Sequence, residues 1–267
     1  MKKIIKSLIP PILLDLYKNA KNAKYGWHGD YQSWEEAKKD STGYDSKEIL
    51  QKVRNSLLKV KNGEAVYERD SVLFHNTHYS WPLLTGLMYA AALSDGKLRV
   101  LDFGGSLGST YFQNKKFLDE IKDLSWSVVE QKHFVDAGKE DFEDARLKFF
   151  YDIDKCMVSE SPNVLVLSSV LQYIEKPYEL LNKILNNDFD FIVIDRTPFS
   201  RQYREIIKLQ TVPPTIYQAS YPSWFFNEKY LYEYLASKQY SLLEVFDAVG
   251  EKGSDYTLKG MIWRKYA

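Results

Sequence analysis

The fold is decided by one stretch of the chain, Val100-Leu101-Asp102-Phe103-Gly104-Gly105-Ser106-Leu107-Gly108. It begins as a short apolar run, as a buried strand does, and then passes through glycines into a span with helical spacing. Glycines suit such a turn because the backbone bends sharply and a ligand can approach where a Cβ atom would collide. The N-terminus of the helix that follows adds unpaired N–H donors, which suit a carboxylate or phosphate. The stretch therefore predicts a strand, a ligand-binding turn and a helix.

Strand-like runs recur after this turn and alternate with helical spans, which is typical of a parallel sheet with crossover helices. The runs cover residues 98–103, 125–130, 147–151, 163–168 and 189–195. Two later runs, 240–246 and 257–264, are close enough in sequence to form an antiparallel pair. The sequence thus predicts an α/β fold with a mostly parallel sheet of seven strands and an antiparallel C-terminal strand pair.

The chain before residue 96 shows helix-like spacing instead of alternating strands and helices. Helix-like spacing covers residues 31–62, and Pro82 stands early in the apolar run 81–93, as it does in the first turn of a buried helix. We expect a helical N-terminal extension over 1–95 and one α/β domain over 96–267. An aromatic, proline-bearing insertion is expected within that domain at about 201–228.

Residues 1–24 begin basic and then turn apolar, as a signal peptide does. Pro10 and Pro11 break the apolar run, Asp15 closes it, and no small-residue cleavage site follows, so removal is not expected. The run is also shorter than the roughly 20 residues of a spanning helix. It can lie on an anionic membrane surface or pack as an amphipathic helix on the rest of the protein. We expect a cytoplasmic location, either free or at the inner membrane surface.

The amino-acid composition disfavours several classes of binding partner and site. Lys plus Arg and Asp plus Glu both number 36, so the net charge is zero and a whole-surface attraction for nucleic acid is disfavoured. A single cysteine, Cys156, excludes an internal disulfide, and four scattered histidines make a zinc site improbable. We expect no nucleic-acid partner and no metal, and the sequence leaves the oligomeric state open.

Acidic residues close the second and third predicted strands. Glu130 follows the turn by about two dozen residues, where a carboxylate can accept hydrogen bonds from both hydroxyls of a ribose. Asp152 stands toward the sheet edge, where an adenine would lie. Acidic residues are common at solvated strand ends, so neither acid alone indicates a binding site. Together with the turn, the two acids predict a nucleotide crevice at the carboxyl ends of the strands.

The turn also discriminates between nucleotides. A dinucleotide turn has the pattern G-x-G-x-x-G and a Walker loop continues with Gly-Lys-Ser/Thr, but this turn follows neither pattern. Asp102 would repel a pyrophosphate, whereas it can hold a cationic amino group directly or through water. The turn therefore favours a nucleoside that carries an amino-acid moiety.

These features resemble the class I S-adenosylmethionine (SAM)-dependent methyltransferases over roughly residues 96–267. The resemblance implies a Rossmann-like fold, SAM as cofactor and S-adenosylhomocysteine (SAH) as product. Two departures are Ser106, in place of the usual middle glycine, and Gln172-Tyr173, where the superfamily often has Glu-His after the fourth strand. The cofactor site that the resemblance implies consists of Asp102, Gly104, Gly105, Gly108, Glu130, Gln131, Asp152, Ile153 and Ser168.

A narrower resemblance extends over nearly the whole chain. Its segments are similar to a bacterial methyltransferase family associated with surface-polysaccharide gene clusters, which implies a context without a defined acceptor. These segments are Gly26-Trp27-His28-Gly29-Asp30-Tyr31, Ser41-Thr42-Gly43-Tyr44, Glu68-Arg69-Asp70-Ser71, Tyr79-Ser80-Trp81-Pro82-Leu83-Leu84 and Leu101-Asp102-Phe103-Gly104-Gly105.

A hydroxyl acceptor requires a group that accepts its proton. Asp195 is the first candidate because it ends the fifth strand on the rim of the crevice, and Tyr173 and His75 follow; His78 and His133 are further candidates. Near the rim, an arginine can hold an anionic group and an aromatic ring can cover the apolar face of a sugar. The expected acceptor-binding residues are Arg196, Arg201, Tyr221 and Trp224.

The sequence thus predicts a SAM-dependent methyltransferase that acts on a hydroxyl of a saccharide, a small molecule or a glycan precursor. Two alternatives remain open. One is an NAD(P)-dependent oxidoreductase, which the turn pattern disfavours. The other is a non-catalytic cofactor-binding or scaffold module of polysaccharide assembly, which would need no proton acceptor.

Overall fold

The computed structural model describes residues 25–43, 47–69, 71–250 and 253–266. Two compact units are formed: a smaller one from residues 25–43 and Ile207–Ser223, and a larger one from the other described residues. Residues 1–24, which carry the membrane-surface prediction, lie outside the described residues. Among the helices that are described, none combines the length and the apolarity needed to cross a membrane.

In chain order the elements are β1 (Gly26–Tyr31), α1 (Trp34–Lys39), α2 (Lys47–Lys61), β2 (Tyr67–Arg69), β3 (Val72–Phe74), α3 (Trp81–Leu93), β4 (Lys97–Phe103), α4 (Ser109–Leu118), β5 (Asp123–Val129), α5 (Lys132–Asp141), β6 (Leu147–Phe150), α6 (Ile153–Glu160), β7 (Val164–Ser168), a 3-10 turn (Leu171–Tyr173), α7 (Pro177–Ile184), β8 (Phe191–Ser200), β9 (Ile206–Thr211), β10 (Ser220–Phe225), α8 (Glu228–Ser237), β11 (Tyr240–Asp247) and β12 (Tyr256–Lys265).

A seven-stranded sheet forms the centre of the larger unit, in the spatial order β6-β5-β4-β7-β8-β12-β11. The first five strands run parallel, and β12 and β11 are added antiparallel. This arrangement confirms the predicted Rossmann-like fold with its antiparallel C-terminal pair. Because β4 to β8 are parallel, their carboxyl ends meet at one edge of the sheet. We call this the carboxyl edge.

The central strands read as continuous apolar runs because helices cover both faces of the sheet. In β7 the four residues from Val164 to Leu167 are all buried, and Phe191 to Ile194 of β8 are buried beside them. The core also encloses whole indole rings, those of Trp126 on β5 and Trp263 on β12. This packing holds the carboxyl edge of the sheet in a fixed geometry.

Strand β8 contains a bulge at its midpoint. Asp195 and Arg196 together face the single residue Gly260 on β12, between the pairs Ile194–Met261 and Thr197–Lys259. Arg196 has a φ of 50°, so its backbone is left-handed although it carries a side chain. A bulge of this kind bends a strand and re-aims its side chains, and bulges are frequent beside functional sites.

The N-terminal region differs from the predicted helical extension. The helices α1, α2 and α3 fall within the expected spans, but β1 and the β2–β3 hairpin also lie there. The hairpin, α2 and α3 belong to the larger unit, together with the sheet. A three-residue strand is too short to give a clear alternation of apolar and polar residues, which explains why the sequence pattern does not show the hairpin.

In the smaller unit, the three-stranded sheet β1-β9-β10 lies with helix α1. A capping box begins α1: the Ser33 hydroxyl accepts from the Glu36 N–H (3.1 Å), and the Glu36 carboxylate accepts from the Gln32 N–H (2.9 Å). The predicted aromatic insertion therefore supplies two β-strands, and it is divided between the units after Ser223.

The substitution Gly260→Ala tests the bulge. A Cβ atom at this position would lie 2.1 Å from the Phe246 ring and 2.8 Å from the Ile194 carbonyl oxygen, and the backbone oxygen cannot move aside freely. We expect the free energy of unfolding, measured by urea denaturation, to fall by about 1–3 kcal/mol. Thr257→Ala on the same strand is the control and should change it by less than ~1 kcal/mol. Equal stabilities of the two variants would contradict this description of the bulge.

Candidate functional site

The glycine-rich turn joins β4 to α4 at the carboxyl edge. The Gly104 N–H donates to the Val129 carbonyl oxygen (2.9 Å), so the turn starts beside the end of β5. Gly104 has a φ of +71°, and a Cβ atom there would lie 2.3 Å from Val170 Cγ2. The Gly108 N–H donates to the Gly105 carbonyl oxygen (2.9 Å) and closes the turn before α4. The turn is therefore compact, and Gly104 is required at its first position.

Asp102 lies beneath this turn. Its side chain is buried, and Oδ2 accepts a hydrogen bond from the Trp126 indole N–H (3.1 Å). A Cβ atom on Gly105 would lie 2.4 Å from the Asp102 carboxyl group, so the turn passes directly over the carboxyl. Burial raises the pKa of Asp102 to about 7, the Trp126 hydrogen bond opposes that rise, and the charge of Glu130 adds to it.

Glu130 follows β5 and is tied to the same turn. Its carboxylate accepts hydrogen bonds from the backbone N–H groups of Gln131 (2.6 Å to Oε2) and Ser106. Burial raises the pKa of Glu130 to about 7, although both N–H groups act to lower it. A carboxylate offers about four acceptor positions, so about two remain for a ligand. Glu130 is therefore placed to bind two further donors beside the turn.

The residues predicted to surround an adenine lie on the same edge but have structural roles. Asp152 caps α6: Oδ1 accepts from the Lys155 N–H (2.8 Å), and this hydrogen bond lowers the pKa of the Asp152 carboxyl. The Ile153 side chain packs in the hydrophobic core. Gln131 is exposed and precedes the first residue of α5. Asp152 is thus already engaged by its own helix, which sequence reasoning did not anticipate.

Asp195 lies at the midpoint of β8, directly across from Ser168 at the carboxyl end of β7. It is buried, and its Oδ1 atom has no hydrogen-bond partner among the described residues. Burial raises the pKa of Asp195 to about 6, and opposing contributions come from Arg196, the Ser80 hydroxyl and Arg69. Asp195 is therefore a largely ionised carboxylate at neutral pH with one oxygen unengaged.

Hydrogen bonds from residues that follow β7 hold the backbone around Asp195. The Ser169 N–H donates to the Asp195 carbonyl oxygen (2.9 Å), and Gln172 Nε2 donates to Ser169 Oγ and to the Arg196 carbonyl oxygen (3.2 Å each). Ser169 and Arg196 both have left-handed backbones, with φ of 55° and 50°. Such conformations in residues with side chains cost about 1–3 kcal/mol and cluster at functional sites.

The other two predicted catalytic residues lie outside these hydrogen bonds. Tyr173 is half-buried at the end of the 3-10 turn that follows β7 and is the neighbour of Gln172 in the chain. His75 is exposed in the loop between β3 and α3. Of the three candidates, Asp195 combines burial, supporting hydrogen bonds and an unengaged oxygen atom.

The four predicted acceptor-binding residues are divided between the two units, with Tyr221 in the smaller one and the other three in the larger one. Arg196 is part of the bulge beside Asp195. Arg201 is exposed, and its guanidinium donates to the Ser254 carbonyl oxygen (3.1 Å), so it holds the loop before β12. Trp224 belongs to the larger unit and its indole N–H donates to the Glu175 carbonyl oxygen (3.3 Å), whereas Tyr221 belongs to the smaller unit.

Sequence reasoning gave no role to the β2–β3 hairpin, although it singled out Glu68-Arg69-Asp70-Ser71. In the structure, the buried Glu68 carboxylate accepts from the hydroxyl of Ser109, the first residue of α4, and from the Ser71 N–H (3.2 Å). Gln113 Nε2 donates to the Tyr67 hydroxyl (3.1 Å) one turn further along α4. The hairpin is therefore fixed against the helix that begins at the glycine turn.

Two surface cavities lie away from the carboxyl edge. One is at the amino ends of β4 and β5, lined by Ala91, Ala92, Asp95, Gly96, Lys122 and Asp123 among others. The other is an apolar groove between α3 and strands β11 and β12. Within the described ranges, no cluster of His, Cys, Asp and Glu side chains is arranged to hold a metal ion. The carboxyl edge is therefore the candidate site because of the chemistry of its side chains, and not because of a cavity or a metal cluster.

No family model matches the chain, and no curated protein matches it in sequence. Solved structures match its fold. The N-terminal domain of EvdMO1, crystallised in the presence of SAH and D-fucose, aligns with a TM-score of 0.50 and 12% identity over 84% of this chain and 98% of that domain. The chain therefore shares the fold of this domain.

Two further structures align less closely. CalS10, a SAM-bound amino pentose methyltransferase from Micromonospora echinaspora, has a TM-score of 0.47 and 9% identity over 70% of this chain and 92% of its own. A pericyclic reaction enzyme has a TM-score of 0.46 and 12% identity over 69% of this chain. The match covers 47% of that enzyme, so the chain spans about half its length.

The buried acid beneath the turn predicts a dependence of stability on pH. The pKa of Asp102 is about 7 in the folded protein against 3.8 for the free side chain, so between these values the folded state binds a proton that the unfolded state has released. The ligand-free protein should therefore lose stability as the pH rises from about 4 to about 7. Asp102→Asn keeps the side-chain shape and should reduce that loss.

Urea denaturation at pH 5 and pH 7.5 measures this effect, with the exposed Asp154→Asn as the matched control. The control should show the same difference between the two pH values as the unmodified protein. An equal difference in Asp102→Asn as well would show that the Asp102 carboxyl is not the group with the raised pKa.

Proposed function

We propose that this protein is a SAM-dependent methyltransferase that methylates a hydroxyl group of a saccharide or of a surface-polysaccharide precursor. The observation that carries the proposal is the hydrogen bond from the Ser106 N–H to the Glu130 carboxylate. It brings a ribose-binding acid and the glycine turn together at the carboxyl edge, where proteins of this sheet topology bind nucleotides. The EvdMO1 domain, crystallised in the presence of SAH and D-fucose, has the same fold.

The chemistry of the turn fits SAM. The ligand carries a cationic amino group and a sulfonium, and the ionised forms of the buried Asp102 and the half-buried Glu130 are disfavoured without a nearby cation. Positive charge in the crevice would stabilise both carboxylates. The two remaining acceptor positions of Glu130 match the two hydroxyls of a ribose. A dinucleotide pyrophosphate would instead bring negative charge to the same acids.

When bound, SAM supplies a methyl group already activated by the positive sulfur. The protein then has to align the acceptor oxygen with that methyl group and take its proton. In such a transfer the Asp195 carboxylate would accept the proton of the acceptor hydroxyl, and SAH would be released. Asp195 suits this step because its pKa of about 6 leaves it ionised yet basic at neutral pH.

Two observations support a saccharide as the acceptor. Segments such as Tyr79-Ser80-Trp81-Pro82 resemble the methyltransferase family associated with surface-polysaccharide gene clusters. The EvdMO1 domain was crystallised with D-fucose. In this chain the half-buried Trp224 ring, in the larger unit, offers a surface of the kind that packs on the apolar face of a sugar.

Glu130→Ala tests cofactor binding. We expect SAH to bind the unmodified protein in isothermal titration calorimetry, and the variant to bind about 10- to 100-fold more weakly because charge-assisted hydrogen bonds to the ribose are lost. Exposed Asp154→Ala on α6 is the control and should retain the affinity. Binding of NAD in place of SAH would favour an oxidoreductase, and equal affinities of variant and control would defeat the assignment of Glu130.

Asp195→Asn tests catalysis. Methyl transfer from labelled SAM to a bacterial surface-glycan extract should fall by about 10²- to 10⁴-fold, because the amide cannot accept the proton. SAH binding should stay unchanged. The control Asp190→Asn lies just before β8, at its amino end and away from the carboxyl edge. Turnover by Asp195→Asn at the normal rate would exclude Asp195 as the base, and SAH binding without turnover in the unmodified protein would favour a non-catalytic module.

A further inference from the structure

Strand β8 extends beyond its neighbour β7 at the carboxyl edge. The last residue of β7 is Ser168, which pairs with Asp195, whereas β8 continues to Ser200. The parallel ladder therefore supplies no strand partner on the β7 side for the residues of β8 that follow Asp195. Backbone carbonyl groups that are shielded from water are nearly always paired, so a donor has to come from elsewhere.

Two donors from the segment after β7 take the place of the ladder. The Ser169 N–H donates to the Asp195 carbonyl oxygen (2.9 Å). The next carbonyl oxygen, that of Arg196, accepts from a side chain, through Gln172 Nε2 (3.2 Å). The same Nε2 atom donates to Ser169 Oγ (3.2 Å). The Gln172 amide therefore joins the segment after β7 to the bulge in β8.

The orientation of the Gln172 amide is fixed by its partners. A backbone carbonyl oxygen can only accept a hydrogen bond, so the amide must present its NH₂ group to Arg196. Gln172 is buried, with 1% of its surface exposed, and its Oε1 atom has no hydrogen-bond partner among the described residues. An unpaired oxygen inside the protein costs free energy, so stability alone does not explain a glutamine at this position.

The backbone that this amide joins is strained. Ser169 and Arg196 are both left-handed, with φ of 55° and 50°. On the other side of the bulge, a Cβ atom on Gly260 of β12 would lie 2.8 Å from the Ile194 carbonyl oxygen. The bulge is thus held by β12 on one side and by Gln172 on the other. Strained conformations persist where the surrounding structure holds them, and they cluster at functional sites.

The Asp195 side chain depends on this arrangement. Consecutive strand residues project to opposite faces of a sheet, and the bulge interrupts that alternation at Asp195 and Arg196. No hydrogen bond from a described residue holds Asp195 Oδ1. The direction of this oxygen atom is therefore set by the backbone, which Ser169 and Gln172 hold through two successive carbonyl groups.

We propose that Gln172 is a positioning residue for methyl transfer: by holding the Arg196 carbonyl group it fixes the bulge, and with it the direction in which the Asp195 carboxylate meets the acceptor. This role rests on the proposed function, in which Asp195 accepts the proton. A glutamine stands here where the methyltransferase superfamily often has a glutamate. An ionised glutamate could not donate to the Arg196 carbonyl oxygen.

Gln172→Met tests this role, because methionine has a similar length and no donor. Methyl transfer from labelled SAM to the surface-glycan extract should fall about 10- to 100-fold in kcat, since a small misplacement of reacting groups has an effect of this size. The KM for SAM and the affinity for SAH should change by less than about twofold, because only the reacting geometry is altered. The matched control is Gln51→Met. That amide is exposed on α2 and donates to Asn55 (2.9 Å), so its loss should leave kcat unchanged.

A double variant shows whether Gln172 acts through Asp195. When Gln172→Met is added to Asp195→Asn, the residual turnover should fall by less than about threefold, because the group to be positioned is already lost. If the two losses multiply instead, Gln172 does not act through Asp195 and the proposal is overturned. A normal kcat in Gln172→Met overturns it as well.

A measurement without turnover separates this proposal from the proposed function. Burial raises the pKa of Asp195 to about 6, against 3.8 for the free side chain, and NMR of the carboxyl carbon can follow its titration. In Gln172→Met this pKa should fall toward 3.8, because a carboxylate that is no longer held gains contact with water, and in Gln51→Met it should stay raised. An unchanged pKa in Gln172→Met overturns the positioning role. Absence of SAH binding and turnover in the unmodified protein counts against the proposed function instead.

Discussion

The close approach of the Gly105 backbone to the Asp102 carboxyl group is the constraint on which the crevice depends. With no Cβ atom on Gly105, the turn can pass over the buried carboxyl, and the Trp126 indole supplies its one hydrogen bond from a side chain. The turn is then joined to β5 through Val129 and Glu130. An acid that is costly to ionise is thereby held directly beneath the loop that would receive a ligand.

Electrostatics divides the carboxyl edge into two parts. Asp102 and Glu130 make the part at β4 and β5 acidic, and loss of hydration raises the pKa of each to about 7. The part at β8 combines Asp195 with Arg196 and Arg69. Under the proposed function, the first part suits a cofactor with a net positive charge, and the second holds the carboxylate that takes the proton of the acceptor.

Sequence patterns predicted the sheet and the acids at its strand ends because these follow from local rules. Continuous apolar runs mark strands that are buried on both faces, as for β7, and glycines mark the turn after Phe103. These features depend on residues that are close together in the sequence. Asp195 was expected to end the fifth strand, but β8 continues to Ser200, so Asp195 lies within β8 and beside the end of β7.

What the sequence did not reveal depends on contacts between distant residues. The β8 bulge requires Gly260, about 65 positions later, and a period of two in the sequence does not show where it is interrupted. The position of the β2–β3 hairpin depends on the contact between Glu68 and Ser109. Arg201 was expected near the acceptor, but the backbone of Ser254 binds it elsewhere. Asp152 was expected to be available for a ligand, but it caps its own helix.

A crystal structure of the protein grown with SAH would test the central claim most directly. The account predicts that the amino-acid part of the ligand lies against the turn from Gly104 to Gly108, with both ribose hydroxyls bonded to the Glu130 carboxylate. Density for the nucleoside at any other place, with Glu130 still bonded to backbone groups alone, would contradict it.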